Sequence, residues 1–394
     1  MKTIEKLLKF GRLGNGTISE AILLWSAVIV FTHYILSAII LIVITSFILI
    51  RKDLRVTALQ DSRLFIINCL ISGLSLFSSL LSKNLIGCGI SCGVFLVLIL
   101  FGYLKSEIDE VGFRKYAVIS MFGSIVFFVS AVVQKLIYRN ANYRPTAGAF
   151  NANYYGALIV MVTLLALTRL FEKCEGSTEN LWYMPTKAFY LFVVIINVVA
   201  LFLSESRSSL LSIMVCIGIY LILKKKYMFC IVAGVLGVGV ITVGWFHPEL
   251  FSWTNSLSFV ITERVDIWID ALRSFSRTPL NALIGRGPMT YFMVWESEGL
   301  CGANHAHNIL VDALINVGIV GTLLYCVLFV HIFRSLTNTK RYYKMLITLF
   351  ICQVCVQGIA DVVIMWHQSA VLFITVAACA EIKKTKKVLY KESV

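Results

Sequence analysis

Apolar residues along this chain come in blocks. Runs dominated by Leu, Ile, Val, Phe, Ala and Gly cover 18–32, 33–50, 64–81, 85–104, 116–136, 153–169, 188–203, 209–223, 227–246, 309–333, 345–363 and 368–380. A helix that crosses the hydrocarbon core of a bilayer needs about 20 such residues. The pattern therefore predicts an all-α integral membrane protein with about 12 transmembrane helices. The first two runs share one stretch, divided at Thr32–His33–Tyr34 so that the basic segments on its flanks face one compartment. Residues 1–394 read as a single polytopic membrane domain, with no internal repeat and no low-complexity linker.

One long hydrophilic segment interrupts the pattern, at 247–307, between the ninth and tenth predicted spans. Inside it, ITERVDIWIDALRSFSR reads as an amphipathic helix, with Val265, Trp268, Ile269, Leu272 and Phe275 at helical spacing on one side. Such a helix is expected to lie flat at the membrane surface. Pro279 and the Gly285–Arg286–Gly287–Pro288 run should end it and turn the chain.

Composition sharpens this picture. The chain is 59% hydrophobic and 14% charged, whereas a soluble domain is about a quarter charged. With alternate connections assigned to the cytoplasm, starting from the N-terminus, the cytoplasmic segments hold 26 of the 35 Lys and Arg residues. The positive-inside rule then places both termini in the cytoplasm and the 247–307 loop, with Cys301, outside. The net charge of +14 is accounted for by topology and does not call for nucleic acid. The basic start MKTIEKLLKFGRLGNG reads as a cytoplasmic tail, since no short apolar stretch with a small-residue cleavage site follows. Most of the eleven cysteines fall inside apolar runs without zinc spacing, so they read as small hydrophobic residues.

The candidate chemistry lies on the outer side. Asp312, Asp361, His33 and His331 fall near helix ends, which disfavours a proton-coupled transporter, since such a protein needs ionisable groups at mid-depth. The nine outer cations include Arg144, Arg207, Arg264 and Arg286. Arg207 sits in the tight Ser204–Ser209 connection, near the expected head-group level. Its alternatives are an ion pair with Glu205 or a lipid, and a diphosphate clamp, because a guanidinium fork matches phosphate oxygens. Arg264 is either a solvated helix charge near Glu263 and Asp266 or a second clamp on the same anion. His305 and His307 flank Ala306 beside the tenth span. No acidic or cysteine residue with matching spacing accompanies them, so no metal is expected. A histidine beside arginines suits general-base work, and packing at the interface is the plainer alternative.

Four segments carry a resemblance. His307–Asn308, nine residues, then Gly318–Ile319–Val320–Gly321 resembles the His-Asn-x9-Gly-x-x-Gly signature of O-antigen ligases. FNANYYGALIVMV, SESRSSLLSIMV and ERVDIWIDALRSFSRTPLNALIGRGP are similar to segments of the wider O-antigen ligase and polymerase superfamily. Phe150–Asn151 departs from the Pro-Asn common there. The resemblance implies a GT-C-type membrane glycosyltransferase in the bacterial inner membrane, with its active site facing the periplasm. The donor would be a glycan on undecaprenyl diphosphate, and the acceptor a sugar hydroxyl of lipid A–core, among membrane lipids. Arg207 and Arg264 would hold the diphosphate and His307 would be the base, with Asn308, His305, Arg286, Arg144 and Asn153 in support. The reaction would invert at the anomeric carbon and need neither metal nor cofactor. An O-antigen polymerase, which joins undecaprenyl-linked repeat units, is the nearest alternative. A polyprenol-linked glycan flippase is the remote one.

Overall fold

The computed structural model describes residues 18–139, 143–171, 186–246 and 257–382. The basic tail, Cys174, the lysines after Ile382 and the start of the large loop at 247–256 lie outside them.

Each of the twelve apolar runs contains a helix. In chain order these are α1 (Ile18–Val30), α2 (Tyr34–Ile50), α4 (Ser62–Leu81), α5 (Leu85–Glu107), α6 (Glu110–Tyr138), α7 (Ala152–Leu170), α8 (Lys187–Ser204), α9 (Arg207–Leu223), α10 (Tyr227–Phe246), α14 (Ile309–Ser335), α15 (Arg341–Gly358) and α16 (His367–Ala378). A short α3 (Lys52–Ala58) follows α2 at an angle of 104°. No strand occurs among the described residues. Six helices there, α4 to α8 and α14, are long and apolar enough to cross a membrane, or seven if α2 and α3 form one span. The first boundary falls as expected: α1 ends at Val30, and the Tyr34 amide opens α2 while bonding the Gly148 carbonyl at 2.9 Å.

The most enclosed of these is α7, because it is apolar on every side and accepts neighbours all round. Its Gly156 lies so close to α9 that an added Cβ would stand 2.5 Å from Ser209 Oγ. That approach brings the start of α7 beside the start of α9. By contrast, α4, α6 and α8 turn Ile66, Leu70, Phe77, Phe122, Val126, Phe192, Ile195 and Phe202 outward. In water these would be aggregation-prone patches; in a bilayer they are ordinary lipid-facing surface.

The large loop is more structured than one amphipathic helix. It holds α11 (Leu257–Phe275), α12 (Pro279–Ile284) and α13 (Thr290–Glu298). The apolar stripe of α11 divides between protein and exterior. Trp268 and Phe275 pack inward, but Val265, Ile269 and Leu272 remain exposed. The inward face is instead led by Ile267 and Ala271, which meet Tyr291, Ala306 and Ile315. Helical spacing fixes which residues share a face; it does not say which of two partly apolar faces finds protein.

The loop docks onto α14 through two glycines. Gly318 interrupts α14 with φ +66°, and Gly285 has φ +69°. A Cβ on Gly285 would stand 2.2 Å from the Asn316 carbonyl oxygen, and one on Gly318 would stand 2.4 Å from the backbone of Leu283 and Ile284. Only glycine tolerates both the backbone angle and the approach. The amide of Gly287 then bonds the Asn316 carbonyl at 2.7 Å.

Candidate active site

Six segments meet at one end of the bundle: the start of α7, the start of α9, α11, the 304–308 turn, the first turns of α14 and the 359–366 connection. Asn151 caps α7 by accepting from the Tyr154 amide at 2.9 Å. Asn308 caps α14, accepting from Leu310 and Val311 at 3.0 and 3.2 Å, and donates to the Ile359 carbonyl at 3.2 Å. The second half of the His-Asn pair therefore ties the turn to the segment that carries Asp361.

Between those two caps lies the turn with the two histidines. The Ala306 amide donates to Asp312 Oδ1 at 3.0 Å, and Asp312 Oδ2 accepts from Asn316 at 2.7 Å. Asn316 Oδ1 accepts in turn from the Thr290 amide at 3.1 Å. The Gly-Arg-Gly-Pro turn, the kink in α14 and the histidine turn are thus one hydrogen-bonded unit. Within it His307 adopts φ +52°, an uncommon angle for a residue with a side chain. The turn thereby places the His305 and His307 rings 4.1 Å apart, centre to centre.

Both rings face Asp361. His305 Nε2 lies 2.7 Å and His307 Nδ1 3.6 Å from Asp361 Oδ1. Asn153 donates to Asp361 Oδ2 at 2.6 Å, and the Val362 amide donates to Oδ1 at 2.8 Å. Asp361 has no exposed surface. Burial pushes its pKa up, but His305, Val362 and Asn153 outweigh burial and hold it below the ordinary carboxylate range. His307 Nδ1 is buried without a hydrogen-bond partner, while the His307 side chain keeps 18% of its surface open.

Cations surround this carboxylate. Arg144 donates to Asn153 Oδ1 at 2.6 Å and to the Ser204 carbonyl at 3.1 Å. The charges of Arg207, Glu205 and Asp361 all reach it, and those of Asp361, Glu263 and Arg144 reach Arg264. Burial lowers the pKa of Arg144 and Arg264, yet a guanidinium remains charged at neutral pH. Glu205 pairs with Lys135 at 3.2 Å.

Of the residues singled out from sequence, His305, His307, Asn308, Arg144, Asn153, Arg207 and Arg264 gather here. Arg286 does not. It is held by Glu298 at 2.6 Å, and Glu298 also pairs with Arg277 at 2.7 Å, so Arg286 secures the loop. Sequence reasoning missed Asp361 as a site residue: it lies 56 residues beyond His305, and no spacing rule connects them. Its one signal was an acid inside an apolar run. His305, His307 and Asp361 also present metal-type donor atoms within 4.8 Å of one another, so the acidic partner that the spacing lacked comes from another segment.

No curated protein matches the chain. The family described as O-antigen ligase matches residues 192–326, about a third of the length. That stretch contains Arg207, Arg264, His307, Gly318 and Gly321, while Arg144, Asn153 and Asp361 lie outside it. The family matched over residues 192–326 is the one that the His-Asn signature resembles.

Proposed function

We propose that the protein is a glycosyltransferase of the O-antigen ligase type. It moves a glycan from undecaprenyl diphosphate to a sugar hydroxyl of lipid A–core, at the periplasmic face of a bacterial inner membrane. The observation that carries this reading is the convergence of two histidines and the guanidiniums of Arg144 and Arg264 on the buried Asp361 carboxylate, with Arg207 close enough for its charge to reach Arg144.

Arg207 and Arg264, helped by Arg144, hold the donor diphosphate. The acceptor oxygen attacks the anomeric carbon on the face opposite the diphosphate, and the bond from that carbon to the diphosphate oxygen breaks. Its electron pair leaves with the diphosphate, whose growing charge the guanidiniums neutralise. The configuration inverts. The hydroxyl proton passes to His307, the more open ring, and Asp361 steadies the resulting imidazolium. The arginines take the place of a divalent cation, so this chemistry runs without metal. The 2.7 Å contact between His305 and Asp361 supports a second assignment, with His305 as the base; its burial, at 8% exposure, weighs against it.

The deciding assay combines purified protein, lipid-linked glycan donor and lipid A–core. A larger lipid A product is expected. Elongation of undecaprenyl-linked repeats without transfer to lipid A–core would make the protein a polymerase. A flippase, which needs a polar path open to both sides, is disfavoured because the charges at the other end of the bundle are closed by pairing, Lys105 with Asp61 and Glu381. Orientation has its own test: a membrane-impermeant thiol reagent should label the exposed Cys301 on cells whose periplasm is open but whose inner membrane is intact.

A further inference from the structure

We infer that His305, His307 and Asp361 form a binding site for a first-row transition-metal dication of the zinc(II) type, whose occupancy switches transfer off. The site stands on geometry alone; the switch rests on His307 being the base.

Two imidazole nitrogens and a carboxylate oxygen are the donors that zinc, cobalt and nickel prefer, while magnesium and calcium favour oxygen alone. Tetrahedral zinc at about 2.0–2.2 Å from each ligand sets its donors roughly 3.4 Å apart. The 3.6 Å between His307 Nδ1 and Asp361 Oδ1 already suits that spacing. The 2.7 Å contact of His305 must open by about 0.7 Å to reach it. The ligands are held before any metal arrives, as good sites require: Asn153 and the Val362 amide fix Asp361, and the Ala306–Asp312 bond fixes the turn. His307 Nδ1, buried without a hydrogen-bond partner, is a lone ligand atom beside that carboxylate. Nor does the local charge repel a dication outright. Asp361 and Glu263 oppose Arg264, and Asp361 and Glu205, the latter shared with Lys135, oppose Arg144.

Coordination through His305 Nε2 displaces any hydrogen from the Asp361 contact. It moves to Nδ1 of the same ring when the imidazole is neutral, and enters solvent when the ring is charged. A neutral His307 ring bound through Nδ1 carries its hydrogen on Nε2. No lone pair is left to take a proton from the acceptor hydroxyl, which is how a bound metal stops transfer.

The test uses the full chain in lipid nanodiscs with cobalt(II), whose visible absorption reports a low-coordinate nitrogen and oxygen site. One equivalent should bind to the wild type, be displaced by zinc and ignore magnesium. His305→Ala and His307→Ala should each weaken binding at least tenfold, and the double variant should abolish it. Cys301→Ser, which removes the exposed thiol, should change nothing. Absence of the cobalt spectrum in the wild type, or its survival in the double variant, overturns the site. Full-rate transfer by zinc-loaded protein overturns the switch. The base assignment fails separately, if metal-free His307→Ala transfers as well as the wild type.

Discussion

The two ends of α14 each carry a histidine facing a carboxylate, and the two arrangements are opposites. Near its C-terminal end, His331 lies 2.9 Å from Asp61, and Lys105 reaches Asp61 at 2.6 Å and Glu381 at 2.9 Å. Lys105 keeps only 6% of its side-chain surface exposed. Every charge there has a partner of opposite sign, drawn from α4, α5, α14 and the segment after α16. The N-terminal end has His307 strained at φ +52° with an unbonded ring nitrogen, and guanidiniums within reach of solvent. A closed network fastens helices together. An open one, held in place by other bonds, is a site waiting for a ligand.

Substitutions can break or sharpen this contrast. The largest effect is expected at His307. His307→Ala should lower transfer by about 10² to 10⁴ while donor binding persists, since the diphosphate is held elsewhere. His305→Ala should keep substantial activity. A donor-binding measurement beside the transfer assay, at matched expression, checks both; lost donor binding in His307→Ala would make that residue a clamp.

Next come the arginines. Arg207→Ala and Arg264→Ala should each cost at least tenfold in transfer, roughly 1.4 kcal/mol of barrier. Lysine should rescue only partly, because it lacks the fork. Arg277→Ala should be mild, since Glu298 keeps Arg286 at 2.6 Å. Equal damage at all three would mean that the region needs only its net charge.

At the closed end the signature is stability without catalysis. Lys105→Met should cost roughly 1–3 kcal/mol, less than the ~3–5 kcal/mol of a fully buried broken pair, because Asp61 keeps His331 and is 21% exposed. Turnover per folded molecule should not change. Burial pushes the Asp61 pKa up, but Lys105 and the Leu64 amide bring it to about 2, below its ordinary 3.8. A depressed carboxyl stabilises the fold above its ordinary pKa and loses that contribution as pH falls towards its folded value. Thermal melts between pH 4 and 2 should show this loss in the wild type and a smaller one in Lys105→Met. The smallest effect is expected from EDTA: transfer should persist, and a chelated enzyme revived only by added magnesium or manganese would remove the arginine-clamp argument.

How much of this was legible in the sequence follows from what kind of contact each feature needs. Apolar blocks report lipid or core contact directly, so all twelve helices could be read, and charge suggested a topology. Arg207, Arg264, His305 and His307 stood out because a cation or an imidazole beside a membrane segment is costly without a purpose. Asp361 did not, because its meaning depends on where α15 ends relative to the histidine turn. The face of α11 that packs on protein was not legible for a similar reason. Val265 and Ile269 are as apolar as Ile267, and only the docked α14 distinguishes them. Arg286 stood among the arginines by composition, and its pairing with Glu298 could not be seen without the return of α13.

The paired glycines carry a last consequence, for assembly. Where α14 departs from helical geometry at Gly318, the backbone beside the break is best served by a partner from outside the helix, since an apolar surrounding offers no water. The Gly287 amide, from the loop, accepts that duty. The loop is therefore a missing piece of a membrane helix as much as an appendage outside it. A chain halted before this docking would hold an unfinished span, so insertion and loop closure should be completed as one event.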